Sequence, residues 1–422
     1  MTTLYRMFIS AAEAHARWEY EMSSNIFKDR KRLCVLGLLA GSAALVSMAL
    51  AADLPGMLGG KEAYTPSFYT TQTFLVSTLI GLCAGLITGT IGAGGGFIIT
   101  PALMSVDVKG ILAVGTDLFH IFAKAIMGTV VHKKLGNVSV SLAVAFLAGS
   151  ILGATGGGLL NRVLYEANPV LSDLFISVVY VVLLGFLGFY ALLDFLKLRK
   201  MEGQVGVHGE SLHGGQTDDR KAGLPEKLQA TRIPPMITFD EDLVPGGKQI
   251  PALYVAVCGI IVGFVAAIMG VGGGFLTFPI FVYILGVSSF TTVGTDILQI
   301  IFTAGYASIT QYVIYGFIFY TLAMGMLLGS LIGIQVGALT TKVVKGIYIR
   351  GFFATAVLAG FVNRLFSLPK QLRELEILEI PKRITDAIMS VGNWIFLIAV
   401  GAFAFWVLSK FLENINALRG KE

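Results

Sequence analysis

The sequence predicts an all-α polytopic membrane protein: an inverted repeat of two helical halves, each beginning with a glycine-broken, re-entrant helical hairpin. Three observations lead there. Of 422 residues, 55% are hydrophobic and only 14% charged, with a mean hydropathy of +0.77, which is not the balance of a soluble chain. Ten apolar runs divide the sequence, most of them near the roughly 20 residues a membrane-spanning helix needs. A glycine-rich motif occurs twice, TGTIGAGGGFIITP at 88–101 and AAIMGVGGGFLTFP at 266–279, about 178 residues apart. Gly92, Gly94, Gly95, Gly96, Phe97 and Pro101 match Gly270, Gly272, Gly273, Gly274, Phe275 and Pro279. Val114-Gly115-Thr116-Asp117 and Val293-Gly294-Thr295-Asp296 follow the two copies, and Gly149-Ser150 with Gly153 answers to Gly329-Ser330 with Gly333. The chain is an internal duplication.

In chain order, residues 1–32 carry Trp18, Tyr20 and Phe27 before the basic cluster Lys28, Arg30, Lys31, Arg32, the composition of a cytoplasmic amphipathic segment lying in the membrane interface. The run 33–52 follows as an anchor helix. Its end, Ala49-Leu50-Ala51-Ala52, is like a signal-peptidase site, but the leader before it is long for a signal peptide, so an uncleaved anchor is expected. The first membrane repeat, 74–196, contains runs at 74–106, 110–131, 139–162 and 172–196. Residues 197–249 break the apolar pattern with Gly, Pro, His and mixed charge, and are expected to be a poorly ordered cytoplasmic linker. The second repeat, 250–366, has runs at 250–286, 291–315, 317–340 and 348–366, and a C-terminal membrane helix lies at 389–411.

The two runs that carry the glycine motifs, 33 and 37 residues long, exceed a single span. Each is either a tilted broken helix or a hairpin of two half-helices. Basic residues choose between these, because they concentrate in cytoplasmic loops. With Lys124 set aside, full crossings put 14 inside and 16 outside, whereas two hairpins put 22 inside and 8 outside. Hairpins therefore follow, with both termini and the linker cytoplasmic and the second half inverted against the first. Residues 364–388 run against this bias, with five basic residues on the outer face beside Glu374, Glu376, Glu379 and Asp386. The net charge of +5 lies in the gaps between apolar runs and reports topology, not a nucleic-acid surface. Cys34, Cys83 and Cys258 have neither paired spacing nor a histidine partner, so no disulfide framework or metal site is expected.

Four glycines in five positions let a helix unwind and let backbone N–H groups approach a bound group. Half-helices beginning near Gly96-Phe97 and Gly274-Phe275 would point N–H donors and a positive dipole end into the protein, an anion site to which Gly94, Gly95, Gly272 and Gly273 give backbone access. The same glycines would also serve close helix packing. No GKS or GKT follows, so a nucleotide loop is excluded. Asp117, His120 and Lys124 share one helical face, and Asp296, Gln299 and Thr303 share the equivalent one. A lysine can attract an anion; Asp117, Asp296 or His120 can carry a coupled proton or ion. Lys124 stands out as the fixed cation inside an apolar run, although snorkelling or a pair with Asp117 would also hold it. Thr116 and Thr295 are candidate substrate contacts, or alternatively caps of their own helices with the neighbouring aspartates.

The duplicated G-x-G-G-G-F-x-x-x-P segments, each followed by Gly-Thr-Asp, resemble the sulfite exporter family of the TauE/SafE type over about residues 74–366. The resemblance implies secondary transport of a small sulfur-containing or organic anion, such as sulfite or a sulfonate, across a bacterial inner membrane. An ion-coupled exporter is the first expectation and a passive anion channel the second. No nucleophile triad, metal-ligand spacing or cofactor motif supports an enzyme, so neither catalysis nor a cofactor is expected. The expected partners are the anion and the lipid bilayer; a homo-oligomer stays open.

Overall fold

The computed structural model describes residues 71–91, 96–135, 139–202, 224–240, 247–341, 343–344 and 346–414. The expected segment 1–32, the anchor 33–52, Gly94, Gly95 and most of the polar middle of the linker lie outside the described residues. What is described is almost wholly helical. The first half comprises α1 (Thr71–Ile91), α2 (Gly96–Ser105), α3 (Gly110–Leu135), α4 (Val140–Ala167) and α5 (Pro169–Glu202). After a short α6 (Leu224–Ala230) and an antiparallel pair, β1 (Met236–Phe239) and β2 (Lys248–Pro251), the second half repeats the order. It comprises α7 (Ala252–Met269), α8 (Gly274–Pro279), α9 (Ser289–Ala307), α10 (Tyr320–Thr340) and α11 (Gly346–Glu374), and α12 (Lys382–Glu413) follows. Among the described residues α1, α4, α5, α7, α10, α11 and α12 are long and apolar enough to cross a bilayer, which makes the protein an all-α polytopic membrane protein.

In the first long run one described helix ends at Ile91 and the next begins at Gly96; in the second run the glycines themselves are described. α1 has 21 residues without a charge, about 30 Å of helix, whereas α2 has 10 and reaches only about half that depth. In the second half α7 ends where Gly270, Gly272 and Gly273 take φ of 78°, 69° and 89°, the left-handed region that a Cβ opposes. α8 then runs to Pro279, which lacks the N–H for a regular helical bond, and the chain widens into a π-helical turn over Ile280–Ile284.

Contacts between the halves fix which ends lie together. Gly325, near the start of α10, packs on Phe74 and Ser77 near the start of α1. Phe319, just before α10, donates its N–H to Thr116 Oγ1 at 3.0 Å, near the start of α3. The beginning of α1, the end of α2 and the beginnings of α3 and α10 therefore share one end of the bundle. At the other end Gly149 of α4 packs on Ala256 of α7, and Ser139, just before α4, donates its N–H to Thr295 Oγ1 of α9 at 3.0 Å. Corresponding helices of the halves run antiparallel: α3 against α9, and α5 against α11, where Gly185 meets Phe361 and Gly351 meets Phe195.

The tightest packing is crossed between the halves. Gly81, Gly85 and Gly89 of α1 lie against the backbone at Met326, Ser330 and Ile334 of α10, while Gly329 and Gly333 of α10 lie against Thr78 and Leu82 of α1. Gly149, Gly153 and Gly157 of α4 meet Ala256, Ile260 and Phe264 of α7 in the same way. A Cβ at any of these would strike main chain, so the four-residue glycine spacing is what lets parallel helices approach so closely. The repeated Gly-Ser-x-x-Gly tags of the sequence fall on this interface.

Two expectations need revision. Part of the linker is ordered: Ile237, Phe239 and Ile250 are buried against Leu142, Phe146, Val255 and Phe281, because the short β1 alternates inward and outward with period two. The polar composition around it hid that pattern. The 348–366 run continues as helix to Glu374, and Arg364 is not a loop charge but a helical residue only 2% exposed.

Candidate functional site

The site is assembled where the glycine breaks meet the middle of α3. Gly96, the first residue of α2, lies against the backbone of Val271 and the side chain of Ile121. Gly270 lies against Thr100 and Val114, and Gly272 against Ile121. The break in α7 leaves carbonyls without helical partners. Tyr312 Oη donates to the Ala267 carbonyl at 2.5 Å, and Tyr180 Oη donates to that of Met269 at 2.6 Å. Both tyrosines are fully buried. They bind the carbonyls that water cannot reach at this depth.

Beside these breaks run two buried polar chains. In the first half Thr100 Oγ1 donates to Asp117 Oδ2 at 3.1 Å, and Asp117 Oδ1 stands 3.6 Å from His120 Nδ1. Among the described residues neither of those last two atoms has a hydrogen-bond partner. His120 Nε2 bonds Ser330 Oγ of α10 at 2.9 Å. In the second half Gln299 Nε2 donates to Asp296 Oδ1 at 2.8 Å, Thr303 Oγ1 donates to Gln299 Oε1 at 2.9 Å, and Thr303 Oγ1 lies 2.7 Å from Ser150 Oγ of α4. Each chain thus starts at a Gly-Thr-Asp aspartate and ends on a serine in a glycine-packed helix of the other half. Gln299 Nε2 also lies 3.4 Å from Thr277 Oγ1 of α8, and a Cβ on Gly274 would stand 3.2 Å from Asp296 Oδ2. The second aspartate therefore sits at the start of the returning half-helix. Lys124 is half-buried on α3 and acts electrostatically on both Asp117 and His120.

The structure gathers Asp117, His120 and Lys124 on one face, and Asp296, Gln299 and Thr303 on the equivalent one. Rather than capping their own helices, Thr116 and Thr295 each accept the N–H of the residue that opens a helix of the other half, Phe319 or Ser139. Phe97 packs edge-on against Phe353 with centroids 6.0 Å apart, inside the core. The Phe275 side chain, like Gly94 and Gly95, lies outside the described residues, while Gly272, Gly273 and Gly274 line the break itself. Gly273 packs on Val262 and holds φ of 89°, so a methyl group there acts on the backbone before it acts on any ligand.

Sequence reasoning missed Thr100, Thr277, Tyr180 and Tyr312. The two threonines stood inside the repeated motif, and Ser150 and Ser330 stood inside the third tag, where a functional signal was present. Nothing marked the tyrosines within apolar runs. Nor is Lys124 the one fixed cation within the membrane helices: Arg364 of α11 is buried, its Nε donating to Asn363 Oδ1 at 2.7 Å and a terminal guanidinium nitrogen lying 3.2 Å from Met104 Sδ. Among the described residues no group of three His, Cys, Asp or Glu is close enough to hold a metal ion.

A membrane bundle with broken helices and buried polar chains at the breaks has the architecture of a permease. The sulfite exporter TauE/SafE family model matches residues 77–364, and the chain belongs to that family. Among curated proteins it is similar to two from Bacillus subtilis, each named a probable membrane transporter protein. They are YjnA, 23% identical over 62% of this chain and 87% of the relative, and YunE, 24% identical over 63% and 88%. A third with the same description, MJ0441 of Methanocaldococcus jannaschii, is 24% identical over 48% of this chain and 59% of the relative. No solved structure matches the chain.

Proposed function

We propose that the protein is an ion-coupled secondary transporter that exports a small sulfur-containing or organic anion, of the sulfite or sulfonate kind, across a bacterial inner membrane. The observation that carries the reading is the pair of buried polar chains beside the glycine breaks, each crossing from one half to the other. Lys124 gives the anion its opposite charge, assisted by backbone N–H groups at the breaks. Asp117 and His120, and Asp296 in the second half, take up and release the coupled proton or ion. The halves form an inverted repeat; in its favour, α3 and α9, and α5 and α11, run antiparallel while occupying equivalent positions. The described part of the linker and the end of α12 lie at one end of the bundle, and the basic bias, 22 to 7 once the buried Arg364 is set aside, makes that end cytoplasmic.

The test is counterflow with the purified protein in liposomes against sulfite, sulfate, thiosulfate, sulfonates and short carboxylates. Uphill accumulation of one anion driven by a pH gradient supports the reading; downhill flux alone, saturating weakly and indifferent to the gradient, makes the protein a channel. Orientation is read separately, by labelling Gly215→Cys with an impermeant thiol reagent on a background without Cys34, Cys83 and Cys258. Labelling from the periplasmic side reverses the assignment.

A further inference from the structure

The ordered part of the linker grips one short stretch of chain, the turn that joins the returning arm of the second hairpin to α9. Three polar groups reach it from outside the membrane helices. Gln229 Nε2 of α6 donates to the Leu285 carbonyl at 2.8 Å, and Lys248 Nζ of β2 donates to the Gly286 carbonyl at 3.0 Å. Asp240, just after β1, accepts from the Ser288 N–H at 2.8 Å and from Ser288 Oγ at 2.7 Å. Ser288 is itself the N-cap of α9, accepting from the Thr291 N–H. Below these bonds Ile237, Phe239 and Ile250 pack into one cluster with Phe281, Leu285 and Val287.

Asp240 is 5% exposed and holds φ of 56°, a left-handed conformation that a side chain with a Cβ adopts at a cost. The bonds to Ser288 offset that cost. Gly286, with φ of 72°, lies so close to Gln229 and Pro225 that a Cβ would clash with both. Among the described residues the equivalent turn of the first half has no such grip from outside the membrane helices. There Asp173 of α5 accepts from the Gly110 N–H at 2.7 Å, and Lys109 Nζ lies 3.3 Å from Tyr165 Oη of α4, both within the first half's own membrane helices. The second arm thus carries at its extramembrane end a contact that α4, α7 and α9 alone would not supply.

We propose that residues 224–240 and 247–251 form a strap, latched by Asp240 on Ser288, that holds the return turn of the second hairpin and releases it when the linker end of the protein opens. The opening step rests on the transport reading above; the latch does not.

The test uses the full-length protein in lipid nanodiscs. Asp240→Gly keeps the backbone conformation without strain and removes the carboxylate. Hydrogen exchange at residues 285–288 is expected to quicken tenfold or more, with exchange in α1 and α10 unchanged. Asp240→Asn, which retains one acceptor, is expected to fall between. Exchange at the parent rate in Asp240→Gly overturns the latch. Should Asp240→Gly loosen α1 and α10 as well, Gln229→Leu with Lys248→Met puts the same question to the other two bonds, with the same two outcomes. Gating is read from Thr277→Cys on a background without the native cysteines, labelled from the linker side with an impermeant thiol reagent. Labelling several-fold faster when Asp240→Gly is added supports release; unchanged labelling alongside quickened exchange overturns the gating role. Neither readout needs a transported substrate, so failure of the counterflow experiment leaves both intact.

Discussion

His120 Nε2 lies 2.9 Å from Ser330 Oγ, which bonds a titratable ring of the first half to a glycine-packed helix of the second. On its other side the ring faces Asp117 Oδ1 at 3.6 Å, so one imidazole stands between a carboxylate and the scaffold. A change of proton on that ring alters its bond to a helix that α1 holds rigidly. We expect His120→Gln to flatten the pH dependence of flux in liposomes. Ser330→Ala is expected to keep that dependence while shifting its midpoint, since it removes the ring's outer partner and leaves the titrating group. Identical pH profiles for the parent and His120→Gln would place coupling elsewhere.

Lys124 and Thr303 occupy equivalent positions with unlike chemistry. Removing the charge in Lys124→Gln is expected to weaken anion affinity by about tenfold or more, the scale of a lost charge-assisted bond of roughly 1.5–3 kcal/mol. Thr303→Val is expected to change affinity much less, and Asp117→Asn to alter coupling more than affinity. Substrate affinity from concentration-dependent flux separates them; a parent-like Lys124→Gln beside a defective Thr303→Val would exchange their roles.

Glycine packing gives a contrast within one helix. A Cβ on Gly153 would strike the backbone at Ile260 and Phe264, whereas one on Gly156 would meet only the Phe264 ring, at 3.7 Å. Gly153→Ala is expected to destabilise by roughly 1–3 kcal/mol through overpacking. Gly156→Ala is expected to be neutral or to stabilise by up to about 1 kcal/mol through helix propensity. Thermal unfolding in one detergent compares them, and equal melting temperatures would show that α4 and α7 separate freely.

The tyrosine hydroxyls at the break in α7 are testable by deletion of a single atom. Tyr180→Phe and Tyr312→Phe each leave a buried carbonyl without a donor, at a cost of about 1–3 kcal/mol apiece. Faster hydrogen exchange confined to residues 266–273 is the signature. Unchanged exchange in the double variant would mean that another donor takes their place.

Much of this architecture could be read from the sequence because its signals were repeated. The second glycine motif located the break after α7, and the Gly-Thr-Asp tag located both aspartates, since unwound backbone and polar groups inside a membrane bundle each need residue types that apolar helices otherwise avoid. The third tag was equally visible, yet its meaning lay in a partner 210 residues away: Ser330 has a role only once α10 is beside α3. Thr116 shows the same limit. Local spacing suggested a cap for its own helix, while the fold gives its hydroxyl to the N–H of Phe319. The strap escaped for a different reason. Four-residue strands in a polar stretch have too few alternations to stand out, and Asp240 gains its conformation from Ser288 on the far side of α7.

The crossed helix pairs bear on how the protein is made. α1 emerges early and finds its mate only when α10 follows, about 240 residues later, which at about 5–20 residues per second is on the order of 12 to 50 seconds of synthesis. During that interval the glycine face of α1 meets lipid or an insertion chaperone, whereas that of α4 waits only about 100 residues for α7. Neither half is expected to mature alone. Expressed as separate chains from two genes, the halves should be degraded singly and recovered together, and a truncation just before α10 should leave α1 without its mate however well it inserts.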